Sequence, residues 1–256
     1  MLAGELAGLR VPTVAVLGNH DSKRASNVPH VEAATPADGR PQRRFRNRAE
    51  AGRLLAERLV QYAGRSDVLV LALPRGGVPV GFEVARALRA PLDVFLVRKL
   101  GLPGQEELAM GAIATGGARV LNEELVETLG LPEDLIERVA AREADELGRR
   151  ERSYRGDRPP PEIRGRTIVV VDDGLATGSS MRAAVAALRT QEPKRIVVAV
   201  PIAPVTTCTV LEADVDELVC LRTPEPFYAV GLWYEDFSET TDEQVRALLE
   251  EAIPGP

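Results

Sequence analysis

The chain has 256 residues, 45% hydrophobic and 27% charged, an ordinary globular composition long enough for one large domain or two small ones. A formal net charge of −6 argues against broad binding to nucleic acid or anionic membranes, and no apolar run reaches the roughly 18 residues of a membrane span. The two cysteines, Cys208 and Cys220, lack CxxC spacing and so exclude a disulfide framework or a cysteine zinc site; with no secretory signal visible, a cytoplasmic protein is expected.

Residues 1–21 end in a short strand-like run at 13–17, followed by Gly18-Asn19-His20-Asp21. Residues 22–44 are polar, with three prolines and no apolar periodicity, which reads as a linker or disordered stretch. From about Phe45 the pattern alternates between helix and strand. Ala51, Leu55 and Leu59 share one helical face, and residues 68–73 are a continuous apolar run short enough for a strand buried on both sides. Gly81, Val84, Ala85 and Leu88 have helical spacing, and residues 92–97 read as the next strand. Residues 105–122 are mixed and fit a hairpin or a mobile loop. A helix over about 133–152 carries Leu135, Ile136, Val139, Ala140 and Leu147 inward. A third strand at 167–171 precedes a helix marked by Met181, Ala184, Val185 and Leu188. Residues 196–200 and 217–221 supply two more strands, and a capping box of Thr241 with Gln244 starts the last helix, which buries Val245, Leu248, Leu249 and Ala252.

Strands that are apolar throughout, each followed by an amphipathic helix, predict an α/β fold with a parallel sheet covered on both faces. In such sheets ligands sit beyond the carboxyl ends of the strands. The third strand runs into RTIVVVDDGLATGSS over residues 166–180. Two carboxylates, Asp172 and Asp173, are followed by a small-residue turn in which Gly174, Ala176 and Gly178 flank Leu175 and Thr177. Ser179 and Ser180 then open a helix. Hydroxyls beside backbone N–H groups at the positive end of a helix dipole suit a phosphate without any lysine. Two acids beside an anion site make sense when the phosphate belongs to a sugar whose vicinal hydroxyls they can accept. Capping alone would account for any one of these residues. All of them in one stretch after a strand point to a ligand loop.

The stretch VVVDDGLATGSS resembles the signature of type I phosphoribosyltransferases, nearest to the adenine-type form. The resemblance extends over residues 43–252 to a group of bacterial members of unassigned substrate. It implies a phosphoribosyltransferase domain over 43–256, with a small C-terminal hood, a mobile lid and residues 1–42 as a vestigial or disordered extension. It further implies that Asp172 and Asp173 hold ribose hydroxyls and that residues 176–180 wrap the 5-phosphate. The donor would be 5-phosphoribosyl 1-diphosphate. Magnesium would ride on its diphosphate, largely through water, with Asp173 as the residue that could touch it. Hypoxanthine-type members carry an acid where this chain has Ala176, which makes that chemistry less expected here.

By the same resemblance Leu73-Pro74-Arg75-Gly76-Gly77 is the diphosphate loop, which in the family often contains a non-proline cis peptide. Arg98 and Lys99 close the second strand and lead into the lid, residues 104–116, where Glu107 is the candidate catalytic carboxylate. Residues 227–234 gather one Trp, two Tyr and one Phe in a chain only 4% aromatic. Phe227, Tyr228 and Trp233 would stack on a flat base as part of the hood, or form a small aromatic core under a loop. The implied partners are small molecules, the donor and an unidentified base, with no nucleic acid or membrane, in a homodimer.

Three other readings compete. A non-catalytic regulatory module binding phosphoribosyl diphosphate would keep the same loop. Residues 11–21 resemble one motif of calcineurin-like metallophosphoesterases, but the chain has only two histidines and cannot assemble that dinuclear site. A Rossmann enzyme would want Gly-x-Gly-x-x-Gly after its first strand, which residues 74–81 do not supply.

Overall fold

In the computed structural model residues 43–252 are described, apart from the side chains of Glu106 and Glu107. The strand expected at 13–17, most of the linker and the metal-binding resemblance lie outside the described residues. In chain order the elements are α1 (Arg48–Glu57), β1 (Val68–Ala72), α2 (Gly77–Leu88), β2 (Leu92–Val94), β3 (Val97–Leu102), β4 (Gln105–Ala114), β5 (Arg119–Leu121), α3 (Glu123–Thr128), α4 (Glu133–Arg155), β6 (Thr167–Val171), α5 (Ser179–Arg189), β7 (Arg195–Ile202), α6 (Val205–Glu212), β8 (Glu217–Arg222) and α7 (Asp242–Glu251).

The expected parallel sheet is present, in the order β2-β1-β6-β7-β8. Its apolar runs show no alternation because both faces are covered. Val68, Val70 and Ala72 pack with residues of α1, α2, α4 and α7, whereas Leu69, Leu71 and Leu73 pack with residues of α5 and α6. Every residue of β1 and β6 is buried. The capping box of α7 forms as expected, Thr241 accepting from the Gln244 N–H and Gln244 returning the bond.

One expectation needed correction. Residues 92–97 are not one strand: β2 ends at Val94, and the chain changes sheets through buried Phe95 and Leu96 before β3 begins. Thr115 fixes that switch by accepting from the Leu96 N–H at 2.9 Å while its own N–H donates to Leu96 O. Both sides of the switch are apolar, so hydrophobic periodicity cannot see it. Of the two alternatives for residues 105–122 the hairpin is the one present, as β4 and β5, which with β3 form an antiparallel three-stranded sheet. The β3–β4 turn is Pro103-Gly104, with Gly104 at φ +81° as such a tight turn requires.

The strand order positions the site. From β1 the chain moves outward to β2 on one side and later returns to β6 on the other. The loops leaving β1 and β6 therefore part at their carboxyl ends and open a crevice between them.

Candidate functional site

The two loops meet in close contact. A Cβ on Gly77 would stand 2.8 Å from Val171 O and 3.0 Å from the Asp172 Cα. One on Gly76 would stand 2.0 Å from Asp173 Oδ2. The two glycines thus exist so that the acid pair can lie directly on the loop after β1. The Pro74–Arg75 peptide in that loop is cis, as the resemblance implies.

Asp172 Oδ1 accepts the Asp173 N–H at 2.8 Å, and Asp173 Oδ2 accepts Arg48 Nε at 2.8 Å. Burial, then the charge of Asp173, push the Asp172 carboxyl well above the ordinary carboxylate range. Burial also raises Asp173, while the bond and charge of Arg48 pull it back. For Asp172 the sign follows directly: the folded state holds the proton more tightly than the unfolded chain. Its contribution therefore favours folding at acid pH and is lost as pH rises through the raised value. Asp172→Asn, which keeps the acceptor for the Asp173 N–H, should accordingly raise stability at pH 7–8 by about 1 kcal/mol, roughly 2–4 °C in Tm. The gain should shrink toward pH 4. Thermal denaturation across that range checks it, and a Tm lowered at neutral pH would refute the electrostatic account.

The loop after β6 is tied down on the side away from the acids. Leu175 is buried and its N–H donates to Ile202 O at 2.8 Å, while Ala176 O accepts Thr207 Oγ1 at 2.6 Å. Gly174 takes φ +156°, and a Cβ there would overlap Val230 and Ile202. Gly178 at φ +71° turns the chain into α5, whose start carries no side-chain cap. Thr177 Oγ1 and Ser179 Oγ lie 3.0 Å apart, and Thr177, Ser179 and Ser180 are all exposed. A helix start with open hydroxyls and no capping side chain is chemically suited to an oxyanion.

The remaining candidates scatter more. Arg75 is ion-paired with Glu239 and lies 3.6 Å from Asp242 Oδ1. Arg98 and Lys99 do not close a strand of the parallel sheet; they lie within β3. Arg98 is engaged by Glu143 of α4 at 2.7 Å, and Lys99 is exposed. Glu107 lies on β4, but its side chain is outside the described residues. Phe227 and Trp233 are half-buried against the cluster of Phe45, Ala51, Ile202 and Tyr234, whereas Tyr228 is 78% exposed. Phe227 also lines an open hollow of about 620 Å³ with Pro204, Val205, Thr206, Pro224, Glu225 and Pro226.

Two residues at the crevice were given no role from sequence, Tyr234 as an unassigned member of the aromatic run 227–234 and Arg48 without any signal. Tyr234 donates its hydroxyl to Asp173 O at 2.6 Å, and burial first, then Asp173, raise its phenol above the ordinary range. Arg48, on α1, holds Asp173 from a position 125 residues away.

The phosphoribosyl transferase domain model matches residues 44–228. The chain belongs to that family. Two curated Mycobacterium tuberculosis proteins, each named "Putative phosphoribosyl transferase", are 47% identical to this domain over 208 residues, covering 81% of this chain and 47% of theirs. The chain thus spans about half the length of the curated relatives it matches. The crystal structure of TT1426 from Thermus thermophilus is 48% identical, with a TM-score of 0.74 over 81% of this chain and 98% of that one. The phosphoribosyl transferase domain therefore accounts for the parallel sheet, and the acid pair falls at its switch point. Among the described residues no helix is long and apolar enough to cross a membrane.

Proposed function

We propose that this domain transfers the 5-phosphoribosyl group from 5-phosphoribosyl 1-diphosphate to a nitrogenous base or related acceptor, releasing diphosphate. One observation carries the reading. Asp172 Oδ2 and Asp173 Oδ1 make no hydrogen bond among the described residues, and they stand beside an uncapped helix start bearing three exposed hydroxyls. One free carboxylate oxygen on each of two adjacent acids matches two vicinal ribose hydroxyls. The hydroxyls and N–H groups at residues 177–180 match the 5-phosphate.

On this reading the C1–O bond to diphosphate breaks with its electron pair leaving on the diphosphate. The acceptor nitrogen supplies the pair for the new C1–N bond and gives up its proton, for which Glu107 is the candidate carboxylate. Arg75, with the Gly76 N–H, would receive the diphosphate in exchange for its contacts with Glu239 and Asp242, while the Gly77 N–H holds the loop by donating to Leu73 O. The β3–β4 hairpin, bearing Lys99, is the candidate cover that keeps water from the cationic ribose. Phe227, Tyr228 and Trp233 are the candidate rings for the acceptor. No group of three His, Cys, Asp or Glu side chains fit to cage a metal occurs among the described residues. The acid pair suits a magnesium ion carried by the donor's diphosphate and water, with Asp173 as its protein contact. Such an ion would neutralise the departing diphosphate.

The test is diphosphate release from the donor, with magnesium, against a panel of bases. Release that depends on one base is expected. Donor binding without release by any base would leave a regulatory module that senses the donor, and absence of donor binding would overturn both readings.

A further inference from the structure

Arg48 stands where three parts of the molecule converge. It is the first residue of α1, a helix whose start is set by Asn47 accepting the Glu50 N–H. Its Nε donates to Asp173 Oδ2 at 2.8 Å and its Nη1 to Ser238 O at 2.7 Å. The guanidinium carbon lies 4.0 Å from the centroid of the Phe237 ring. A Cβ on Gly76 would reach within 3.3 Å of the Nε. The side chains of Arg48 and Asp173 are only 12% and 15% exposed.

A partly buried ion pair is poor value as a stabiliser, because desolvation offsets most of the attraction. This one is more informative as geometry. The grip on Oδ2 is a directed N–H bond, and a carboxylate fixed through one oxygen has its other oxygen fixed too. Asp173 Oδ1, the oxygen without a hydrogen bond among the described residues, is the one left to accept from a ligand. Backbone contact from the other side completes the hold, since the Tyr234 hydroxyl bonds Asp173 O. Meanwhile the second guanidinium bond and the ring stack attach Arg48 to residues 237–238, so the acid and the C-terminal segment are registered to each other through one planar group.

We infer that Arg48 is a positioning residue, whose guanidinium fork orients Asp173 toward a ribose hydroxyl and sets the C-terminal segment against the same acid. The inference rests on the ribose-phosphate reading of the acid pair. A lysine could supply the charge, but not two directed bonds and a stack at once.

The experiment uses ribose 5-phosphate and 2-deoxyribose 5-phosphate, neither of which needs a metal, and reads the ratio of their Kd values by calorimetry on the full chain. Wild type should favour the ribose compound. R48Q should lower that preference by roughly tenfold, the worth of a hydrogen bond to a charged group. R48K should lower it by a smaller factor. Both variants should keep their affinity for inorganic phosphate, and R48Q combined with Asp173→Asn should lose no more preference than Asp173→Asn alone. If R48Q fails to fold, R48K decides. A wild-type preference in whichever of them folds overturns the role, as does failure of both to fold, which would make Arg48 structural. A wild type that binds both sugars alike removes the ribose reading itself, and the role of Arg48 with it.

Discussion

Thr177→Val combined with Ser180→Ala should lower affinity for 5-phosphoribosyl 1-diphosphate by about 10²-fold or more, with Tm changed by no more than a few degrees. A hydrogen bond from a neutral donor to a charged phosphate is worth roughly 1.5–3 kcal/mol, and two are removed. The fold should not notice. Both residues are exposed, and the anchors of the loop are elsewhere: the Leu175 N–H on Ile202 O, Thr207 on Ala176 O, and Gly174 under Val230. What Thr177 does internally is modest, since its Oγ1 meets Ser179 Oγ at 3.0 Å and the Ser179 N–H at 3.4 Å. Inorganic phosphate should lose affinity in step with the donor, because the contacts removed belong to the 5-phosphate alone. Calorimetry with both ligands measures this. Unchanged affinity for each would place the phosphate away from the start of α5.

The parts of this site that could be read from sequence are those whose partners are neighbours in the chain. Asp172 through Ser180 form one continuous loop, so the carboxylates, the hydroxyls and the helix start appear side by side in the string. The fully buried strands β1 and β6 are equally plain, because a run such as Val68–Ala72 has to be covered on both faces. Arg48 had no such signal. It sits in the polar stretch Arg46-Asn47-Arg48 at a helix start, where a solvated charge is the ordinary expectation, and its partner enters 125 residues later. Arg98 misled in the opposite direction. A cation after an apolar run looks like the rim of a parallel sheet, yet the chain had already left that sheet at Val94, and Glu143 on α4 engages it. Both arise from the same cause: the arginine's partner is set by tertiary topology, and local pattern has no access to it.

Gly76→Ala should cost both stability and donor affinity, and the stability cost should largely vanish when Asp173 is also replaced by alanine. Gly76 has φ −60° and ψ −31°, a conformation any residue adopts, so backbone strain is not at issue. The obstacle is space. The added methyl would lie 2.0 Å from Asp173 Oδ2 and 2.7 Å from its Cγ, so the carboxylate must move, and moving it breaks the 2.8 Å bond to Arg48. Overpacking of this kind costs about 1–3 kcal/mol, or several degrees of Tm in a domain of this size. Donor affinity should fall by roughly tenfold to a hundredfold as the ribose contact of Asp173 is lost. With Asp173→Ala already present, the methyl has room. Gly76→Ala should then be nearly silent, giving a coupling of about 1–2 kcal/mol in a double-mutant cycle read by denaturant unfolding. Equal costs in the two backgrounds would assign the requirement for glycine to something other than the acid. Wild-type stability and affinity in the single variant would mean that the loops after β1 and β6 are not packed on each other, and the crevice would have to be drawn differently.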